Sequence, residues 1–180
     1  MTTNNNATVK PFHLDVAAIR AAAKKLDDGP VTAGYQGNRE EIVSMLNDAL
    51  ATELLCVLRY KRHYFTASGP GTESVKAEFL EHAGEEAAHA DRIAERIVQL
   101  NGEPDFNPAI LSSRSHAEYD ASTDVKEMIK ADLVAERVAI ESYRQMIERI
   151  GDNDPTTRQM LVEIMASEEE HADDLRDLLQ

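Results

Sequence analysis

Tryptophan is absent, cysteine occurs once, and aromatic residues make up only 5% of the 180-residue chain. With Cys56 as the single thiol, no disulfide can close within the chain, and a closed thiolate zinc site is excluded. Basic residues are also scarce, 19 Lys and Arg against 33 Asp and Glu, for a formal charge of −14. That imbalance works against non-specific binding to nucleic acid or to anionic membranes, which relies on clustered Lys and Arg, and makes cations the natural partners. No apolar run reaches the roughly 20 residues of a membrane-spanning helix, and no leading segment combines a basic end, an apolar stretch and a cleavage site. A cytoplasmic protein is expected, with neither membrane nor nucleic-acid partner.

What is present is a composition rich in Ala, Leu, Ile, Glu, Asp and Arg, residues that lose little freedom in a helix. The length suits one domain with one core, so the fold class expected is all-α. Residues 1–37 read as an extension: a loose tail, a short helix over 14–26 capped by Asp15, and a glycine-rich break over 29–37. That helix, with Val16, Ile19, Ala23 and Leu26 on one face, is expected to pack on the main domain or on a neighbouring subunit. Residues 38–180 form the main domain, with long periodic segments at 38–67, 72–101, 122–150 and 154–179. Ser68-Gly-Pro-Gly71, Gly102 with Pro104, and the run from Gly151 to Pro155 punctuate them, with Asp154 as a cap and Pro155 at the first helical position. The one long connection, 103–121, predicts an antiparallel four-helix bundle with a crossover between its second and third helices.

Each long segment carries an apolar seam interrupted near its middle by a carboxylate. Glu53 falls in the stripe from Ile42 through Leu46, Leu50 and Val57, and Glu136 in the stripe from Ile129 through Leu133, Ile140 and Tyr143. In the second and fourth segments the interruption is a pair, Glu86 with His89 and Glu168 with His171, three residues apart and so on one helix face. One Glu-x-x-His pair means little, because this composition supplies one by chance in about every second chain. Six such residues on four core seams are different. A lone buried carboxylate takes up a proton, and four together repel one another, so a cation must compensate them. The seams offer no Arg or Lys at these levels, and carboxylate with imidazole suits Fe or Mn.

The arrangement resembles the ferritin-like di-iron carboxylate proteins, in which two helices give one Glu each and two give Glu-x-x-His. LNDALATELLCVLRYKRH, EEAAHADRIAERIVQLNGEP, DVKEMIKADLVAERVAIESYRQMIERI and EIMASEEEHADDL are similar to the four bundle helices of the bacterioferritins. The resemblance implies Glu53 and Glu136 as terminal ligands, Glu86 and Glu168 as bridges, and His89 and His171 as imidazole ligands to two Fe ions per chain, with Mn or Zn as substitutes. Tyr60 matches a tyrosine beside the family site and is a candidate electron donor. Where bacterioferritin carries a haem-ligating Met, this chain has Ala87, so haem is not expected. Nine residues follow His171, too few for the fifth helix of that family, which with the N-terminal extension is more like the Dps-type mini-ferritins and favours a dodecamer over a 24-mer.

The expected function is oxidation of Fe(II) by O2 or H2O2 and storage of Fe(III) in the cavity of a homo-oligomer. The alternatives are a non-storage oxidase or peroxidase, like rubrerythrin or manganese catalase, and a DNA-protecting starvation protein. His82, with Glu81 and Glu85 beside it, could pass iron inward, although Glu81 and Glu85 also read as an ordinary solvated face. His63 and His116 read as surface residues, and Cys56 as a small buried hydrophobe.

Overall fold

A computed structural model describes residues 12–180, so most of the loose tail expected over 1–12 lies outside the described residues. Among the described residues the chain runs through α1 (Val16–Ala22), α2 (Arg39–Thr66), α3 (Glu73–Gln99), α4 (Leu111–Arg114), α5 (Val125–Ile150) and α6 (Pro155–Asp177), with no strand. None of these helices is long and apolar enough to cross a membrane. α2 pairs with α3 and α5 with α6 as two helical hairpins, joined where α2 meets α5 and α3 meets α6.

The helix ends follow from local chemistry. Asn38 caps α2 by accepting from Glu41 N, Asp124 caps α5 through Glu127 N, and Asp154 caps α6 through Thr157 N with Pro155 at the first turn. The cap at Asp124 moves the start of α5 three residues later than the periodicity suggested. α3 stops where Asn101 turns into the left-handed region at φ 62°. Leu46, Leu50, Ile93, Ile97, Tyr143, Leu161 and Ile164 fill one end of the core, and Tyr60, Phe79, Met128, Ile129 and Leu175 the other.

The crossover between α3 and α5 runs the length of α2 and is held there by polar side chains. Asn47 donates to Glu103 O (3.1 Å) and accepts from Asp105 N (2.8 Å), Arg114 pairs with Asp48 (2.8 Å), and His116 N donates to Thr52 Oγ1 (3.0 Å). Arg62 donates to Ala121 O and Ser122 O at the far end. The crossover includes the single turn α4, which the sequence did not suggest.

Within the chain the extension attaches through the segment that follows α1. Within this chain α1 is short, wholly exposed and touches no other helix. The glycine-rich segment makes the attachment instead: Val31 and Tyr35 pack on the core, Tyr35 donates to Asp154 (2.8 Å), and Asp28 pairs with Arg39 (2.9 Å). A Cβ at Gly37 would sit 2.7 Å from the Tyr35 ring, so a side chain there would displace Tyr35 from this contact.

Candidate metal centre

Glu53 on α2, Glu86 and His89 on α3, Glu136 on α5, and Glu168 and His171 on α6 are all buried in the middle of the bundle. Their ligand atoms form two groups, Glu53, Glu86, His89 and Glu168 in one and Glu86, Glu136, Glu168 and His171 in the other, each within 4.8 Å. Glu86 and Glu168 belong to both. His89 Nδ1 lies 3.6 Å from Glu86 Oε2 and 3.0 Å from Glu168 Oε1, while His171 Nδ1 lies 3.8 Å from Glu86 Oε1 and 3.3 Å from Glu168 Oε2. Each shared carboxylate thus turns one oxygen to each group. Glu53 Oε2 completes the first at 3.5 Å from His89 Nδ1, and Glu136 Oε2 the second at 3.8 Å from His171 Nδ1.

These contacts lack hydrogen-bond geometry. Seven buried atoms, namely Glu53 Oε2, Glu86 Oε1, His89 Nδ1, Glu136 Oε2, both oxygens of Glu168 and His171 Nδ1, have no hydrogen-bond partner. Each such atom costs about 1–3 kcal/mol when left unmet. Buried carboxylates and imidazoles that face one another without hydrogen bonds are the arrangement expected of groups that share cations.

Three of the remaining atoms are fixed from outside. Tyr60 donates to Glu136 Oε1 and Tyr143 to Glu53 Oε1, both through short hydrogen bonds. His171 Nε2 meets Glu85 Oε2 at 2.6 Å, which leaves Nδ1 to face inward. A two-fold pattern emerges. Glu53 and Tyr60 on α2 exchange roles with Glu136 and Tyr143 on the antiparallel α5, and Glu86 and His89 on α3 with Glu168 and His171 on α6.

Protonation responds to the crowding. Burial pushes the Glu86 carboxyl well above its usual range, and Glu53, Glu168 and Glu136 add to the effect. Burial and Glu53 push Glu168 up to about 7. For Glu136 burial acts upward but is outweighed by His171 and Glu168, which bring it down to about 2. Burial disfavours the imidazolium forms, yet the carboxylates around them raise His89 to about 9 and His171 to about 11. Burial and the neighbouring His171 lower His82 to about 4. Burial, reinforced by Glu136 and by Glu53 respectively, raises Tyr60 and Tyr143 well above the usual phenol range, so both hydroxyls stay protonated donors.

His63 is not a surface residue: it is fully buried, with Nδ1 2.8 Å from Asp132 Oδ2 and Nε2 3.2 Å from Asp120 Oδ2. A buried cation does lie near the seams, since Arg59 donates through Nε to Asp132 Oδ1 at 2.7 Å and through Nη1 to Glu118 O at 3.2 Å. That charge is already matched by Asp132, so it does not neutralise the four glutamates. Tyr143, a seam residue of α5, also bonds the site, and the recurrence of Glu-x6-Tyr in α2 and α5 is the sequence signal for that role. His116 is exposed, as read, and Cys56 is buried.

Residues 43–180 match the Ferritin family, described as the ferritin-like domain. A bacterioferritin of Brucella melitensis is 31% identical over 136 residues, covering 74% of this chain and 79% of its own. A nutrient stress-induced DNA-binding protein of Synechococcus is 30% identical over 137 residues, 73% of this chain and 77% of its own. Among solved structures, the bacterioferritin-related protein of Bacteroides fragilis, described as a dodecameric thioferritin, is 32% identical with a TM-score of 0.77, covering 80% of this chain and 87% of that one.

Proposed function

The chain belongs to the ferritin-like domain family, and on that premise we propose that it oxidises Fe(II) at the paired site and stores the Fe(III) product inside a closed homo-oligomer. The observation that carries this reading is the set of seven partnerless buried atoms, arranged as two groups that share Glu86 and Glu168. In this reading Glu53 and His89 serve one ion, Glu136 and His171 the other, and Glu86 and Glu168 serve both. Four carboxylates against two divalent ions give a neutral site, which removes the repulsion that the core otherwise carries. Two Fe(II) ions held together supply the two electrons that take O2 to H2O2, or H2O2 to water.

The chain's own groups set the geometry. Tyr60 and Tyr143 hold the outer oxygens of Glu136 and Glu53, so that Oε2 of each faces inward. Glu85 holds the Nε2 proton of His171, which commits Nδ1 to the ion. In this reading Tyr60, bonded to Glu136, serves as an electron donor, and Tyr143 makes the equivalent bond to Glu53. Ala87 offers no sulfur for haem, and the reading includes none.

Anaerobic Fe(II) titration tests the site: two ions per chain are expected before any mineral grows, followed by fast oxidation on adding O2 or H2O2, and saturation well below two rejects the reading. For the assembly, the dodecamer described for the Bacteroides fragilis relative supports a twelve-subunit shell. A dimer in light scattering would exclude an enclosed store and move the function to a non-storage oxidase or peroxidase. A second reading, protection of DNA, draws on the Synechococcus relative. The charge of −14 opposes it, and a gel shift at physiological salt would establish it.

A further inference from the structure

One turn outward from the paired site, Glu78 and His82 on α3 and Asp174 on α6 bring three ligand atoms within 4.8 Å of one another. His82 is 1% exposed, Glu78 is half-buried and Asp174 lies at the surface, so the group opens outward from a buried imidazole. Its Nε2 is 3.3 Å from Glu78 Oε1 and 3.8 Å from Asp174 Oδ2, with no hydrogen bond to either.

The tautomer of His82 decides what those three atoms are. The single proton of the Tyr60 hydroxyl is given to Glu136 Oε1. Toward His82 the Tyr60 oxygen therefore offers only a lone pair, and the 3.3 Å contact to His82 Nδ1 requires the proton to sit on Nδ1. In a neutral imidazole the other nitrogen, Nε2, is then an acceptor. Three acceptors, one imidazole nitrogen and two carboxylates, point at one another, and the described residues supply no donor between them. Stacking on His171, with ring centroids 4.1 Å apart, fixes the imidazole plane and keeps Nε2 aimed outward.

The two-fold pattern of the bundle does not impose this group. The positions on α6 and α3 related to Glu78, His82 and Asp174 are Met160, Ile164 and Arg92, two apolar and one basic. Only one side of the paired site carries the acceptors.

We propose that Glu78, His82 and Asp174 form a third cation site, separate from the paired site, for a divalent first-row transition ion. One neutral nitrogen and two carboxylates neutralise a 2+ charge and suit Fe(II), Co(II), Mn(II) or Zn(II). The Nδ1–H bond to the Tyr60 oxygen orients the ligand ring, the usual arrangement for a metal-binding imidazole. The donor atoms differ from those of the paired site, so the two assignments stand or fall separately.

Co(II) added anaerobically to the metal-free full chain is the probe, read by calorimetry and by a cobalt anomalous map of soaked crystals. The wild type is expected to show a peak beside His82 Nε2, and the double variant Glu78→Gln, Asp174→Asn, changed only at the outer residues, to bind one Co(II) fewer per chain. No peak there at saturating Co(II), or an unchanged stoichiometry in the double variant, overturns the third site. Failure of the paired-site reading would show separately, as the absence of the two central peaks.

Discussion

Two clusters of buried charge lie within two turns of each other along α2 and α5, and they differ in how they are satisfied. In the first, Arg59, His63 and Asp132 are fully buried, and both Asp132 oxygens are taken, by Arg59 Nε and by His63 Nδ1. In the second, the glutamates and histidines of the paired site leave seven atoms with no hydrogen-bond partner. Burial is equal, so burial does not separate structure from function here. Pairing does. A charge kept for the fold is matched within the chain, whereas a charge kept for a ligand is left unmatched, at a cost the fold bears until the ligand arrives.

The sharpest way to break this comparison is Asp132→Ala, which strands Arg59 and His63 in the core. A loss of about 3–5 kcal/mol is expected, because one partner of a buried pair has been removed. Urea unfolding at fixed protein concentration should give the same loss with and without Co(II); a loss that Co(II) reverses would make the two clusters one. The converse change, Glu86→Gln, replaces a carboxyl that burial and the neighbouring glutamates already hold well above its usual range in the metal-free protein. The metal-free protein should be at least as stable as wild type, while the gain from Co(II) at the paired site, about 2.7 kcal/mol per bound ion at a hundred times Kd in the wild type, should fall away. Thermal melts with and without Co(II) check both halves.

Tyr143→Phe tests the boundary between the clusters, since Tyr143 belongs to the fold and touches the site. Losing its hydrogen bond to the Glu53 carboxylate should cost about 1.5–3 kcal/mol, with two central Co(II) per chain retained in the titration. The smallest effect is expected at Asp154, a second charge satisfied by the chain: it caps α6 and accepts from Thr157, Tyr35 and both contacts of Arg96 Nη2. Burial would raise this carboxyl, but Thr157, Tyr35 and Arg96 hold it below its ordinary value. Its stabilising contribution is therefore complete above the unfolded value, about pH 4, and is lost as pH falls through the folded one. Asp154→Asn keeps the cap and should cost about 1 kcal/mol at neutral pH. Its acid limb in a pH series of melts should be shallower than that of wild type, and an unchanged limb would contradict the assignment.

The same distinction explains what could be read from the sequence. The four long helices were legible because their apolar seams are long and their ends carry Asn38, Asp154, Pro155 and Gly151. The six candidate ligands stood out because a carboxylate on an apolar seam contradicts its surroundings locally, without knowledge of the partner helix. His63 and Arg59 were not legible, because what makes them core residues is Asp132, some 70 residues away, and a crossover whose path no periodicity encodes. Asn47 and Thr52 share that buried polar side of α2 and were missed for the same reason. The short helix α1 was legible as a helix from Asp15 and its apolar spacing, and within this chain that apolar face covers no other helix.

The exchange of roles between the two hairpins has a consequence for ancestry. Glu53, Glu86 and His89 with Tyr60 on one hairpin, set against Glu136, Glu168 and His171 with Tyr143 on the other, are what two copies of a half-length chain would present across an isologous interface. Such a pair would have to use each residue twice. Joining the halves through the crossover frees every position to serve once, and it is this freedom that lets His82 stand on one hairpin while its counterpart is Ile164.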